Sequence, residues 1–334
     1  MMTIRFLGAA LAGAATIALS ACGGGGGGTR LASTPTPPPS PPPPAPSPVE
    51  PPPVKIFANP TPVQYASVGA SVSGPGGNLD TYDSPTATFG PISSADAAQP
   101  HIRYNAAGYY EIEMPGAAWD RLVHYKGIVG PSSDNNYFQP QSVAQNQGYI
   151  VTTNSRDRGY IYSELGGWGS FAASRWGYVA FGTATPEGSV PVTGSASYSG
   201  FVSGSTDIMV ADNLYGGYFP MNVDGTVSLN FNFGAGTLGG SMTLSMPDGM
   251  NPVEIGTWAF RDTVYSRGST TYSGNFDTTA LGQNFFLGRF TGPSAEETIG
   301  AWALPFVFNR GGEFVTPDGQ THQALGAWIA KRGD

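Results

Sequence analysis

From residue 190 to its end, the chain alternates between apolar and polar side chains in short runs separated by turn residues. The clearest run covers residues 226–233, and its odd-numbered members are all apolar: Val227, Leu229, Phe231 and Phe233. Residues 239–246 repeat the pattern, and nearby Asp-Gly dipeptides are typical of hairpin turns. Because side chains alternate between the two faces of a strand, this period of two predicts antiparallel strands with one buried face.

Further strand candidates follow the same rule and are found at 194–203, 254–264, 269–277, 283–291, 298–308 and 321–330. About eight strands are enough to close a small barrel, and residues 324–330 are expected to seal it against its first strand. A membrane-spanning barrel is not favoured, because a tilted spanning strand needs about ten residues and we expect these strands to be shorter. We therefore predict an all-β fold with a small, soluble, eight-stranded antiparallel β-barrel over residues 186–334.

Residues 56–185 alternate less regularly, have longer loops and carry many aromatic side chains. They are predicted to form a smaller β-rich subdomain that packs against the barrel, with the join around 183–192. The whole-chain composition agrees, because 48 Gly, 30 Pro and only 11% charged residues disfavour helices. The net charge is −8 and no cluster of basic residues occurs, which argues against nucleic-acid binding.

Residues 1–21 have the features of a signal peptide, with Arg5 ahead of an apolar segment that is too short to span a bilayer. The segment ends in Leu-Ser-Ala before Cys22, which resembles a bacterial lipobox. Cys22 is the only cysteine, so we expect it to be lipidated with fatty acids such as palmitate and to anchor the chain. The alternative is an ordinary leader with an incidental cysteine. Gly23 stands where an aspartate would resemble an inner-membrane retention signal, which implies the outer membrane.

Residues 22–55 contain six consecutive glycines and several proline runs, and they have no apolar pattern to bury. Such a segment is typical of an extended polyproline II spacer. About 25 residues at ~3.1 Å each reach on the order of 70–80 Å. A proline-rich peptide ligand is the alternative, but a disordered stalk that holds the folded part away from a lipid surface is favoured.

Several phrases resemble the transferrin-binding protein B-like surface lipoproteins: residues 194–200, 231–240 and, above all, 287–300 with its Gly-Arg-Phe-Thr-Gly-Pro-Ser-Ala-Glu-Glu segment. Phe181-Gly-x-x-Thr-Pro186 resembles the family's junction between its two parts. The resemblance implies one eight-stranded barrel and a flanking handle sheet, displayed on the cell exterior by a lipid anchor. Transferrin-binding protein B has two such lobes, whereas this chain has room for one, and no transferrin-contact residue can be mapped.

The resemblance also implies a function without enzymatic activity. It implies a co-receptor that captures an iron, haem or metal source, or a host or environmental protein, and passes it to a TonB-dependent transporter. The alternative is a structural or assembly lipoprotein of the outer membrane. An extracellular hydrolase is disfavoured, because no nucleophile motif is present. Glu296 and Glu297 are expected to belong to a structural turn rather than to a catalytic pair.

The candidate ligand-binding residues are histidines, aromatic residues and arginines of the first subdomain: His101, Tyr109, Tyr110, Trp119, His124, Arg156 and Arg158. Tyr, Trp and Arg are common anchors at protein interfaces. No resident cofactor or metal is expected, although a haem ligated by His101 or His124 beside Tyr104 or Tyr125 is a hypothesis. The alternatives are hydrogen-bonded histidines, core aromatic residues and a polar turn around the two arginines.

Overall fold

The computed structural model describes residues 55–74, 89–124, 137–142, 148–211, 217–246, 252–308 and 319–333. The signal peptide, Cys22, the stalk and Tyr125 lie outside these residues. Glu50–Asp334 forms one compact unit. Its described elements are seventeen strands and two short 3-10 helices, Asp96–Ala98 and Ser155–Arg158, which confirms the all-β prediction. No helix in the described ranges is long and apolar enough to cross a membrane.

The first nine strands form a single antiparallel sheet, which we call the handle sheet. Its strands are β1 (Val63–Gln64), β2 (Ala66–Ser73), β3 (His101–Tyr104), β4 (Tyr110–Glu113), β5 (Asp120–His124), β6 (Tyr137–Pro140), β7 (Tyr149–Thr152), β8 (Ser163–Ser170) and β9 (Arg175–Gly182). The strand order is β1-β3-β4-β5-β6-β7-β8-β9-β2.

The handle sheet is rolled, because its two edge strands are neighbours in the chain. Only Tyr65 separates β1 from β2, and its N–H donates a 3.0 Å hydrogen bond to the Ile102 carbonyl. The inward face of the rolled sheet buries an aromatic cluster that includes Phe57, Tyr65, Tyr110, Phe138, Trp168 and Phe181. The irregular pattern of residues 56–185 therefore still encodes a sheet with its own core.

The remaining strands close an eight-stranded antiparallel barrel. They are β10 (Ser195–Ala211), β11 (Tyr218–Asn232), β12 (Thr237–Met246), β13 (Val253–Val264), β14 (Thr271–Phe276), β15 (Phe285–Thr291), β16 (Glu297–Phe308) and β17 (Gln320–Arg332). Strand β17 pairs with β10 from Tyr198↔Arg332 to Thr206↔Ala324, so the chain end seals the barrel as predicted. The predicted join at 183–192 lies between β9 and β10.

The alternating residues take the faces that the sequence predicts. Val227, Leu229 and Phe231 are buried inside the barrel, whereas Ser228 and Asn230 are exposed on its outside. The filled interior and polar exterior are the reverse of a spanning barrel, whose lipid-facing band is apolar. The argument from short strands was wrong, however. Strands β10 and β11 have 17 and 15 residues. Pairing in β10 continues through buried polar residues that the pattern does not reveal. Pairing in β11 continues through Asp224-Gly225, so the hairpin turn expected at this dipeptide was also wrong.

The barrel and the handle sheet pack against each other through small apolar residues. Strand β16 is buried on both faces: its alternate residues Ile299, Ala301 and Ala303 face away from the barrel core and join a cluster with Val68, Ala70 and Val72 of β2. Ala327 and Ile329 of β17 belong to the same cluster. Small side chains let the two sheets approach closely, and the contact holds the handle sheet in a fixed position on the barrel.

Candidate functional site

Three of the seven predicted ligand-binding residues, His101, Tyr109 and Trp119, lie on or beside the outward face of β3, β4 and β5. These strands lie toward the β1 end of the handle sheet, whereas β2, β8 and β9 contact the barrel. Along β4 the inward residues Tyr110 and Ile112 are buried, and the outward Glu111 and Glu113 are partly exposed. The strand alternation therefore separates a core face from a polar outward face.

Across the outward face, the strand register brings charges of opposite sign together. Arg103 of β3 pairs with Glu111 of β4, and Glu111 pairs with Arg121 of β5. The Arg103 Nε donates to a Glu111 carboxylate oxygen, and the two side chains are 37% and 14% exposed. Cross-strand pairs of opposite charge stabilise a sheet only modestly. The main effect of this pairing is therefore to hold the Arg103 and Glu111 side chains in one position.

Each arginine of this group is also stacked on an aromatic ring. The Arg103 guanidinium lies 4.3 Å from the centroid of Trp119, and that of Arg121 lies 4.7 Å from the centroid of Tyr109. We call Tyr109, Arg121, Glu111, Arg103 and Trp119 the arginine–aromatic row. Cation–π stacking holds long side chains in one conformation. The row is therefore a preorganised surface of the residue types that anchor protein interfaces.

Trp119 also borders a groove of about 320 Å³ at the end of the same strands. Most of the groove is lined by small or apolar residues, including Met114, Ala117, Ala118, Pro140 and Ala173. Asp120 secures its edge, because its carboxylate accepts a 2.8 Å hydrogen bond from the Ser142 N–H. The groove continues the row past Trp119.

The two candidate histidines do not share a site. His101 lies on the outward face with Arg103, and its Nε2 is 3.7 Å from the Asp96 carboxylate. His124 and Leu122 alternate along β5 and therefore share one face of the strand, which is the core face. The centroid of the His124 ring lies 5.2 Å from that of the Phe138 ring. A group ligated by one of them does not contact the other. Among the described residues, no three His, Cys, Asp or Glu side chains form a cluster that could hold a metal ion.

Tyr110 is placed in the core of the handle sheet rather than on its surface. It is 1% exposed and packs against Tyr65 and Tyr104, with ring centroids 6.3 and 4.9 Å away. Its hydroxyl accepts a 3.0 Å hydrogen bond from the Phe57 N–H. Burial raises the pKa of Tyr110 to about 12. In this structure Tyr110 supports the strand whose other face carries Glu111.

Arg156 and Arg158 lie in the 3-10 helix Ser155–Arg158, which rests on the barrel. The Arg158 guanidinium is 4.2 Å from the centroid of Phe201, and its carbonyl accepts a hydrogen bond from the Lys331 Nζ at 3.1 Å. Arg156 forms an ion pair with Asp157 at 3.6 Å. The two arginines are therefore remote in sequence and in sheet order from the arginine–aromatic row.

Two buried carboxylates, which the sequence did not single out for these roles, hold this region in place. Glu164 accepts hydrogen bonds from the N–H and hydroxyl of Ser155 and from the Thr153 hydroxyl. Glu297 of the barrel accepts hydrogen bonds from the Ile161 and Tyr162 N–H groups at 2.7 and 3.1 Å. Burial raises the pKa of both carboxyl groups, and the hydrogen bonds partly oppose that shift. Glu297 thus has a structural role, as expected, but it also joins the barrel to the handle segment.

Arg103 and Arg121 were missed as candidates, and the alternation in the sequence contains the signal for them. In His-Ile-Arg-Tyr and Asp-Arg-Leu, the arginines alternate with Ile102 and Leu122, which are buried. An arginine that is adjacent in the strand to a buried apolar residue faces outward, because successive side chains point to opposite faces of the sheet. What the sequence does not give is the register, and the register places both arginines beside Glu111.

No protein-family model and no curated protein matches this chain. Among solved structures, it is similar to a double mutant of Transferrin Binding Protein B from Haemophilus parasuis, at 14% identity and a TM-score of 0.38, covering 80% of this chain and 45% of that one. It is similar to the haemoglobin receptor HpuA from Kingella denitrificans in complex with human haemoglobin, at 15% identity and a TM-score of 0.39, covering 83% and 90%. A Transferrin Binding Protein B mutant from Actinobacillus pleuropneumoniae is similar at 15% identity and a TM-score of 0.36, covering 82% and 100%.

Proposed function

We propose that this chain is a binding lipoprotein displayed on the outer surface of the outer membrane, and that the arginine–aromatic row is its ligand-binding face. In this proposal Cys22 carries the lipid anchor and residues 22–55 give the folded part its reach. The chain acts as a co-receptor, without enzymatic activity, that captures an iron- or haem-bearing protein for a TonB-dependent transporter. The single observation that carries the proposal is the row itself.

The row supports binding because it combines exposure with rigidity. Arg103 and Arg121 are stacked on Trp119 and Tyr109 and bracket Glu111 between them. A purely structural surface does not need two stacked arginines, since surface ion pairs contribute about 0–1 kcal/mol to stability. Side chains that are already ordered lose little entropy on binding, which raises affinity for a protein partner.

The position of the row on the molecule supports the same proposal. Strands β3, β4 and β5 lie in the part of the handle sheet that the barrel does not cover, because the barrel contacts β2, β8 and β9. The groove beside Trp119 extends the available surface. The sequence segments that resemble transferrin-binding protein B-like lipoproteins lie in the barrel half, so they support the scaffold and leave the ligand open.

The test is a binding experiment with the lipid-free chain and three named probes: human haemoglobin, human transferrin and free haem. We expect one probe to bind, and the double variant Arg103→Ala/Trp119→Ala to weaken it about tenfold or more, as hot-spot residues do. Arg261→Ala on the barrel surface is the matched control and is expected to bind as the unmodified chain does. A double variant that binds normally would remove the row from the proposal.

Cell experiments separate this function from that of a structural or assembly lipoprotein. Protease added to intact cells is expected to release the folded part, because a co-receptor faces the exterior. Deletion of the protein is expected to slow growth on the iron source that the binding experiment identifies. Complete protection from external protease, with unchanged growth on haemoglobin, transferrin and haem, would instead support the structural alternative.

A further inference from the structure

A second surface feature lies on the barrel. It is a groove of about 350 Å³ on the outward face of β14 and β15, where Val68 of β2 also contributes to its lining. The cross-strand pairs Thr271↔Arg289 and Ser273↔Leu287 belong to its lining. Ser266 and Ser269, in the turn between β13 and β14, complete its polar part.

One hydroxyl group at this groove, that of Ser269, is held in place by the turn. The Ser269 hydroxyl donates a 2.7 Å hydrogen bond to the Thr271 carbonyl and accepts one from the Thr271 N–H at 3.2 Å. Four Ser and Thr side chains line the groove with Arg289. Hydroxyl groups donate hydrogen bonds in whatever direction a ligand requires, because the hydroxyl hydrogen rotates.

Arg289 is the feature of this groove that the fold does not explain. Its Nε is buried and has no hydrogen-bond acceptor among the residues that the structure describes. Burial lowers the pKa of Arg289, and Asp96 opposes that effect by its negative charge. Asp96 does not form an ion pair with Arg289. It is paired instead with His101, and its side chain is 84% exposed.

The lining of the groove contains no carboxylate, although the chain as a whole carries a net charge of −8. A buried guanidinium N–H without an acceptor costs free energy, because it has lost its hydrogen bond to water. Proteins usually remove that cost by placing a carboxylate beside the arginine. Here the Arg289 side chain as a whole is half-buried, and it lines the groove together with Ser and Thr side chains.

We propose that this groove is a binding site for an oxyanion, a phosphate or sulfate group, with Arg289 as its counterion and the Ser266, Thr271 and Ser273 hydroxyls as further donors. The planar guanidinium matches the oxygen spacing of such groups. Val68, Val264 and Leu287 give the groove apolar walls, and Val264 is 63% exposed. The walls suit a phosphate or sulfate that is carried on a larger organic molecule.

Isothermal titration with inorganic phosphate and with sulfate, against chloride at equal ionic strength, tests the proposal. We expect both oxyanions to bind and chloride to give no signal. Because a hydrogen bond to a charged group contributes about 1.5–3 kcal/mol, Arg289→Gln is expected to weaken binding about tenfold to a hundredfold. Arg261→Gln, on the same barrel but paired with Asp277 at 3.2 Å, is the control and is expected to bind as the unmodified chain does.

Amide chemical shifts of the unmodified chain provide a second test, which does not depend on whether Arg289→Gln folds. Phosphate is expected to shift the resonances of the turn 266–269 and of β14 and β15, and Arg289→Lys is expected to reduce those shifts while preserving the fold. Glucose 6-phosphate and vesicles of phosphatidylglycerol, with phosphatidylcholine vesicles as control, distinguish a soluble carrier from a lipid headgroup. Arg289-dependent binding of either carrier supports the site. Binding that persists in Arg289→Gln, or no oxyanion-specific signal, overturns it.

Discussion

The handle sheet and the barrel are built from the same element type but use it differently. The barrel strands β10, β11 and β17 have 17, 15 and 13 residues, and their inward faces fill the interior with aromatic side chains. Strands β3 to β7 of the handle sheet have four or five residues each. Long strands in continuous register make a rigid support, whereas short strands leave more of the chain in connections, where binding residues usually lie.

The aromatic residues of the two regions show the same division. In the barrel, Phe231 contacts Tyr198, Phe233, Tyr265, Tyr272 and Phe290, all with ring centroids within 6 Å. In the handle sheet, Trp119 and Tyr109 are partly exposed and contact arginines. The handle sheet also has a buried aromatic core, but unlike Phe231 these two rings lie at the surface.

Replacing a barrel tryptophan tests this comparison with the largest expected effect. Trp328 is fully buried and lies 5.9 and 6.2 Å from Phe286 and Phe260. Trp328→Ala is expected to lower the free energy of unfolding by about 3–5 kcal/mol, because it leaves a large cavity. Urea unfolding monitored by circular dichroism measures it. Trp119→Ala is the matched variant in the handle sheet, and a loss as large as that of Trp328→Ala would contradict the division.

The close packing around Trp328 also explains Gly300. A Cβ atom at Gly300 would lie 2.2 Å from the indole of Trp328. Strand β16 therefore needs a residue without a side chain at this position, since no rotamer change of an alanine relieves such a contact. The glycine-rich composition, which in the sequence argues only against helices, here permits bulky tryptophans inside a narrow barrel.

The second prediction concerns the link between the two regions, Glu297. Its pKa is raised above the ordinary 4.5 by burial, so the folded state binds the proton more tightly than the unfolded state. The stabilisation from that proton is fully present below pH 4.5 and is lost as the pH rises through the raised pKa. The free energy of unfolding of the unmodified chain, relative to Glu297→Gln, is therefore expected to fall as the pH rises above the ordinary value of 4.5 and through the raised pKa.

Urea unfolding at several pH values checks this prediction, with Glu296→Gln as control for the loss of a carboxylate in the same turn. Glu297→Gln also turns an amide N–H₂ toward the Ile161 or Tyr162 N–H, which is expected to cost about 1–3 kcal/mol at all pH values. If the difference in the free energy of unfolding between the unmodified chain and Glu297→Gln is constant with pH, burial does not raise the pKa of this carboxyl group.

The barrel could be predicted from the sequence because one local rule repeats along it. The candidates 254–264, 269–277, 283–291, 298–308 and 321–330 agree with strands β13 to β17 to within two residues. The prediction from alternation was wrong for the end of β10. The strand was predicted to end at residue 203, but it continues to Ala211. There Ser205, Thr206 and Asp207 are buried although they are polar, and the register shifts between Ser205 and Met209.

Asp207 shows why the extension of β10 could not be predicted from the sequence. Its carboxylate lies 2.9 Å from Nδ1 of His322 and accepts a 3.0 Å hydrogen bond from the Gln323 N–H. A buried acid is tolerated only with such partners, and here they are more than a hundred residues away in the chain. Nothing local in the sequence indicates that strand β17 brings His322 to β10.

The candidate site was predictable in residue type but not in arrangement. Trp119 and Tyr109 were candidates because exposed aromatic residues often bind, and the structure places both in the arginine–aromatic row. Tyr110 differs from Tyr109 by one position, yet it faces the core, since adjacent residues of a strand point to opposite faces. The register of β3, β4 and β5 decides which charges meet, and that register depends on the whole rolled sheet.

The third prediction separates these two tyrosines. Tyr110→Phe leaves the buried Phe57 N–H without its acceptor and is expected to cost about 1–2 kcal/mol of unfolding free energy. Tyr109→Phe keeps the ring that stacks on Arg121 and is expected to be neutral within about 0.5 kcal/mol. Thermal and urea unfolding measure both variants. Equal costs would show that Tyr110 is no more important to the core than its exposed neighbour.

The smallest expected effect lies within the row itself. A double-mutant cycle of Arg103→Ala and Trp119→Ala isolates their coupling, which we expect at about 0.5–1 kcal/mol because a partly exposed cation–π pair is weak. Unfolding of the four chains in urea gives the coupling to stability, and the same four chains in the haemoglobin, transferrin and haem experiments give the coupling to binding. The row is proposed to be ordered for a partner, so the coupling in binding should exceed the coupling in folding. A larger coupling in folding would mean that the two side chains support the sheet, and the surface aromatic residues of the handle sheet would then act as the buried ones of the barrel do.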